Sequence, residues 1–408
     1  MYLVFLYPVL LSVASSLAVK STLRHRPGIR SKLIREGRWD ELAALQSRIK
    51  IPLSNDQQQT QTLEDWIDDF YLTDVGIGTP PQYLALSPDT GSSNLWVINS
   101  QCTVSHTNEL HPNNESLSFS QSSTYRPDNF TFSLSYGLGA CTCSAAHDAL
   151  DLAGLKVASQ GLGVASNISQ QFVKEPMDGI LGLAWPSLAV EGIVPPLQNL
   201  LSQLDRPIFT VYMYKHALSY KAEGSQGGTI TYGGFDDENC DSKINYVPVT
   251  GTNYWQFEMT RFSIGGYHID GSYQVISDTG TSYLLVPPAV YDGISSVIGG
   301  TKMPGTDIIT VPCNGSYPDI KLKIGGKDYS IKYDNYLLDS LECCAHFVLR
   351  SLQLQPDSGI SFVLGDTFIR QYCNVYDIGQ RRIGFALVKQ SGPALGWVSL
   401  AFLAAVLL

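Results

Sequence analysis

Two short stretches of this 408-residue chain carry the same chemistry-bearing residues at the same spacing. Leu86-Ser87-Pro88-Asp89-Thr90-Gly91-Ser92-Ser93 recurs as Val275-Ile276-Ser277-Asp278-Thr279-Gly280-Thr281-Ser282. A single Asp-Thr-Gly is weak evidence, because Asp and Gly favour turns in any long sequence. Two copies, each after an apolar β-like run and each followed by Ser/Thr-Ser, point instead to a paired site. Carboxyl groups within hydrogen-bond reach cannot both ionise, so the pair shares one proton. Such a pair offers a base that takes a proton from water and an acid that assists a carbonyl oxygen and then a leaving nitrogen. Those are the needs of peptide-bond hydrolysis, with activity highest at acid pH, where one proton resides on the pair.

The neighbours have reasons of their own. Gly91 and Gly280 let the backbone turn tightly, so amides approach the carboxylates with no Cβ in the way. Thr90 and Thr279 can hydrogen-bond across the junction of the two loops, while Ser92 and Thr281 can donate to the outer carboxylate oxygens. An ionised buried carboxylate without such donors is too costly to keep.

The elements around these loops read as β. Each motif is followed, at nearly equal intervals, by an apolar pair and a glycine, Ile180-Leu181-Gly182 and Val363-Leu364-Gly365. A duplicated β lobe accounts for that order. Short runs rich in Val, Ile, Tyr, Phe and Thr alternate with Gly, Pro, Asn and Ser clusters, which predicts an all-β chain. The best amphipathic helical stretches are residues 31–49 and 289–298.

Composition narrows the class. The chain is 44% hydrophobic and 16% charged, ordinary for a globular protein. A net charge of -10 argues against nucleic acid as a partner. The charge is uneven: residues 20–53 hold nine Lys or Arg against three acidic residues, so a basic leader precedes an acidic body. Residues 1–19 read as a signal peptide, with Ala14, Ser15, Ser16 and Ala18 near its end; the other reading is a membrane anchor, for which the stretch is short. Sequons at Asn114, Asn129, Asn167 and Asn314 fit passage through the secretory route. Eight cysteines suggest disulfides, which spacing alone cannot pair. No Cys-x-x-Cys occurs and the seven histidines are scattered, so neither a metal site nor a cofactor is expected. Residues 391–408 form an apolar tail that reads as a GPI signal, although its polar spacer is nearly absent.

From about residue 65 to 388 the chain resembles the pepsin-family aspartic proteases. The resemblance rests on both Asp-Thr-Gly motifs, Gly76-Ile77-Gly78-Thr79-Pro80-Pro81-Gln82, Ser93-Asn94-Leu95-Trp96-Val97, Asp178-Gly179-Ile180-Leu181-Gly182-Leu183-Ala184 and Leu364-Gly365-Asp366-Thr367-Phe368-Ile369-Arg370-Gln371. It implies a bilobal fold of two pseudo-twofold-related β lobes with a cleft between them and one catalytic Asp from each. The lobes are then residues 61–235 and 236–390, after an inhibitory basic prosegment at 20–60. It further implies a flap carrying Tyr136 and Gly137, with the tyrosine hydroxyl bonded to Trp96, and an apolar substrate pocket lined in part by Met177 and Leu181. It pairs Cys313 with Cys343 or Cys344, and Cys240 with Cys373. Cys141 and Cys143 near the flap either tie it to Cys102 or are small buried residues.

Three departures stand out: Pro88 replaces a large apolar residue, and Leu138 and Ala140 replace the flap's Thr and Ser. They keep a second reading in view, a catalytically weak or inactive peptide-binding relative. A glycosidase with paired carboxylates has no support beyond the carboxylates themselves. The expected partners are protein or peptide substrates and the chain's own prosegment. A monomer is expected, extracellular or lysosomal, or held at the cell surface by a GPI anchor.

Overall fold

Alternation of buried and exposed residues along most strands sets which face meets the core, as in Gln256–Ile264 and Ile320–Ile324. Strands covered on both faces, such as Ile208–Met213, are buried throughout. The structure is a computed structural model. It describes residues 18–29, 32–33, 36–38, 40–41, 62–63, 69–105, 118–136, 139–214, 226–303, 309–312, 315–339, 344–347, 349–351 and 359–389.

The architecture is mostly β and bilobal. A fourteen-stranded sheet begins at Asn245–Pro248, passes through Arg382–Leu387, Tyr372–Asp377, Ile208–Met213 and Gln226–Tyr232, and reaches the leader strand Val19–Pro27. It continues through Asp69–Ile77 and Gln82–Asp89 into the first lobe, ending with the flap strands Ala140–Leu152 and Arg126–Tyr136 and the short strand Thr62–Leu63. A seven-stranded sheet centred on Gln256–Ile264 and Tyr267–Ser277 forms most of the second lobe. One hydrophobic cluster runs from Val75 and Leu150 through Phe209 and Trp255 to Ile294 and Phe368.

The internal repeat has a direct structural cause. Gln82–Asp89 runs parallel to Gly179–Gly182, which is antiparallel to Leu95–Val104, with Asp89 level with Gly182. The second half repeats this: Tyr267–Ser277 runs parallel to Phe362–Leu364, which is antiparallel to Leu284–Val286. Each Asp-Thr-Gly loop therefore turns back against the apolar pair and glycine of its own half. The approach is too close for a side chain. A Cβ on Gly182 would lie 2.3 Å from the Ser93 carbonyl carbon, and one on Gly365 would lie 1.9 Å from the Thr281 oxygen.

The helix Pro288–Ile298 starts on a proline and stops at Gly299, whose φ of 65° is the left-handed end conformation. Most of the leader helix expected at 31–49 lies outside the described residues, as do residues 1–17 of the signal peptide expected at 1–19 and the tail expected at 391–408. Among the described residues no helix is long and apolar enough to cross a membrane.

Cys240 and Cys373 form a disulfide with Cα atoms 6.0 Å apart. Cys313 and Cys343 lie outside the described residues, as does the side chain of Cys344. A tie from Cys141 or Cys143 to Cys102 is corrected by the structure, where all three are buried free thiols. The reason is a strand between them: Leu155–Ile168 separates Leu95–Val104 from Ala140–Leu152, with Thr103 and Thr142 both level with Asn167. Two strand spacings make about 9.5 Å, beyond the roughly 7 Å a disulfide can span.

Candidate active site

Asp89 ends one strand and Asp278 directly follows another, so each carboxylate sits on a loop anchored by its own lobe. The donors are arranged alike. Gly91 N-H donates to Asp89 Oδ1 at 2.7 Å, and the Ser92 hydroxyl donates to Oδ2. Gly280 N-H donates to Asp278 Oδ1 at 2.9 Å, and Thr281 Oγ1 donates to Oδ2 at 2.7 Å. The two carboxyls are buried, and each lies near enough to shift the other's pKa.

The threonines lock the loops together. Each hydroxyl accepts the other's backbone N-H at 3.0 Å. Each then donates onward, Thr90 to the Ser277 carbonyl at 3.0 Å and Thr279 to the Pro88 carbonyl at 2.8 Å. Pro88, which has no N-H to give, thus still takes part through its oxygen.

Burial raises both aspartate pKa values, and the charge of Asp278 raises Asp89 further, against the pull of Ser92 and Gly91. Thr281 and Gly280 oppose the rise at Asp278. The titration belongs to the pair. Above the ordinary aspartate value the folded chain keeps a proton that the unfolded chain has released, so the pair's contribution to stability declines as pH climbs through the raised value.

Tyr136 ends the flap strand Arg126–Tyr136, and its hydroxyl accepts the Trp96 indole N-H at 2.9 Å. Tyr136 and Gly139 exchange backbone bonds of 2.7 and 3.1 Å, and Gly137 lies outside the described residues. Phe172 packs edge-on to both rings, 5.6 Å from Trp96 and 6.2 Å from Tyr136. Met177 joins this cluster under the flap, whereas Leu181 packs in the main core beside Leu95. No sequence spacing pointed to Phe172; only the fold carries it there.

Removing the tyrosine hydroxyl tests the flap. Tyr136→Phe leaves the buried Trp96 N-H without its acceptor, at a cost of about 1–3 kcal/mol. A drop in kcat/KM of about tenfold is expected from a lid that closes less faithfully. Steady-state kinetics and thermal unfolding read both effects; unchanged kcat/KM removes the tether's role.

Asn129 is exposed, but the Asn167 amide donates to Thr103 Oγ1 at 3.0 Å and its oxygen accepts from Ser105 at 2.6 Å. Asn114 and Asn314 lie outside the described residues. Among the described residues no group of His, Cys, Asp or Glu could hold a metal.

Two buried carboxylates on twin, matching loops of a bilobal β fold define an aspartic-protease architecture. The chain belongs to the eukaryotic aspartyl protease family, whose description matches residues 70–388. It is similar to Aspartic protease 17 of Caenorhabditis elegans, at 39% identity over 96% of this chain and 99% of that relative. Aspartic protease 1 of the same organism is 38% identical over 95% and 99%, and Cathepsin E of Oryctolagus cuniculus is 34% identical over 89% and 93%. The protein is an aspartic-type endopeptidase.

Proposed function

We propose that this endopeptidase works at acid pH with a water held between Asp89 and Asp278, prefers large apolar residues at the cut, and is made as a zymogen in the secretory pathway. The carrying observation is the pair of buried carboxyls on loops bonded to each other through Thr90 and Thr279, each carboxyl supplied with one N-H and one hydroxyl donor. In the single-proton state the ionised carboxylate takes a proton from water as that water attacks the peptide carbonyl. The protonated partner donates to the carbonyl oxygen, and the proton gained from water passes to the leaving nitrogen. Met177, Phe172 and Tyr136 support the apolar preference.

Proteolysis of a denatured protein, measured across pH with and without pepstatin, tests this reading. Pepstatin-sensitive cleavage at acid pH is expected. Peptide binding without cleavage at every pH would make the chain a binding protein instead.

Zymogen behaviour is supported by how the leader strand is held. Lys20 Nζ reaches Asp236 at 2.8 Å and Glu238 at 3.0 Å, Arg24 reaches Asp74 at 2.8 Å, and Ile29 N-H donates to Glu175 at 3.2 Å. Burial pushes the Asp236 pKa up, but bonds from Lys20, Asn239 and Thr229 outweigh it and leave the value lowered. A lowered carboxylate pKa gives attachment that is present above the ordinary aspartate value and lost as pH falls through the lowered one. The latch therefore opens in strong acid. Lys20→Ala should raise the pH of leader release, read by gel shift across a pH series; an unchanged midpoint discards the latch.

A further inference from the structure

The face behind the dyad is polar on one side only. Ser277 immediately precedes Asp278 and is 1% exposed, and in a strand its side chain points away from the face its neighbour serves. Its hydroxyl lies 3.0 Å from Asn374 Oδ1 and 2.9 Å from the Tyr376 hydroxyl. Asn374 Nδ2 donates to the Tyr372 carbonyl at 2.8 Å, which fixes the amide so that Oδ1 faces the serine. An amide oxygen only accepts, so the serine proton goes to Asn374 and the tyrosine must donate to the serine. The order is thus Tyr376 to Ser277 to Asn374.

None of these groups can swing away. Asn374 and Tyr376 are fully buried, and the Tyr376 ring is stacked on Phe209 at 4.4 Å and met edge-on by Trp255 at 5.0 Å. The Ser277 main chain is held as well, its N-H donating to the Trp255 carbonyl at 3.1 Å and its carbonyl accepting from Thr90. In the first repeat the matching residue is Pro88, which has neither hydroxyl nor N-H. The strand Tyr372–Asp377 that carries two of the partners belongs to the large sheet, whereas Ser277 ends a strand of the other, directly before Asp278.

We propose that Tyr376, Ser277 and Asn374 form a positioning network that ties the Asp278 strand to the large sheet and sets the height at which Asp278 meets Asp89. These are positioning residues, with no contact to substrate. A water-attack geometry that tolerates well under 1 Å of error makes such an anchor matter to rate. The network's one-sidedness gives Asp278 and Asp89 different freedom, although their own donors match.

The inference rests on the proposed dyad chemistry, and the experiment separates the two. Wild type, Tyr376→Phe, Ser277→Ala and the double variant are compared, with active sites titrated by pepstatin. Tyr376→Phe keeps the ring and its stacking, so it serves where Ser277→Ala fails to fold. Each single variant should lower kcat per active site by about tenfold with KM within about twofold. Each should also displace the alkaline limb of the pH profile, and the double should be no worse than the poorer single. A purely structural role would lower thermal stability while leaving kcat per site and the pH profile in place, and that result overturns the network. A wild type inert at every pH removes the dyad reading and this inference with it; an active wild type beside unchanged variants removes this inference alone.

Discussion

Asp278→Asn should fold, keep its lobes and lose at least about 10³-fold in kcat, the scale of general acid–base catalysis by a residue acting within a unit. The amide keeps the shape and an oxygen to accept the Gly280 N-H, now seen at 2.9 Å. It can neither ionise nor share a proton with Asp89. The charge that raises Asp89 disappears too, so Asp89 ionises at lower pH than in the wild type. Circular dichroism and active-site-normalised proteolysis over pH check both parts. Activity retained within tenfold of wild type would end the claim that the two carboxyls act together.

Gly91→Ala should be nearly as damaging for a different reason. The added Cβ would lie 2.6 Å from Asp278 Oδ1 and 2.8 Å from its carboxyl carbon. Nothing soft can give way there, because the obstructing atoms are the buried, hydrogen-bonded carboxyl of the opposite loop. Either the loop retreats or the carboxyl turns, and the two carboxyls lose their relative placement. A fall in kcat of about 10²-fold is expected from displacement on the scale of 1 Å. Overpacking should cost about 1–3 kcal/mol of stability. Kinetics and denaturant unfolding read the two separately, and kcat within threefold of wild type would show that the loops tolerate a wider gap.

The dyad was legible in the sequence because its residues repeat as a contiguous string, and a duplicated string survives any uncertainty about strands. The Ile180-Leu181-Gly182 and Val363-Leu364-Gly365 landmarks were legible as a repeat, but why they repeat was not. Their cause is a backbone approach that only coordinates reveal. The leader strand Val19–Pro27 was harder still. Its inward residues include Ser21, Leu23 and His25, so a polar side chain stands where a hydrophobic pattern would have marked the buried face. Its basic residues drew the reading toward charge alone. The cysteines near the flap illustrate a further limit: Cys102, Cys141 and Cys143 read as candidates for one bridge, and the strand lying between them has no signature in their spacing. Ser277, Asn374 and Tyr376 were invisible together for a related reason, since nearly a hundred positions of chain separate the serine from its partners.

The leader strand is laddered on both sides, to Gln226–Tyr232 along one edge and to Asp69–Ile77 along the other. A cut in the chain behind it would remove none of those rungs. The severed piece should therefore persist as a noncovalent subunit, released by dissociation rather than by scission.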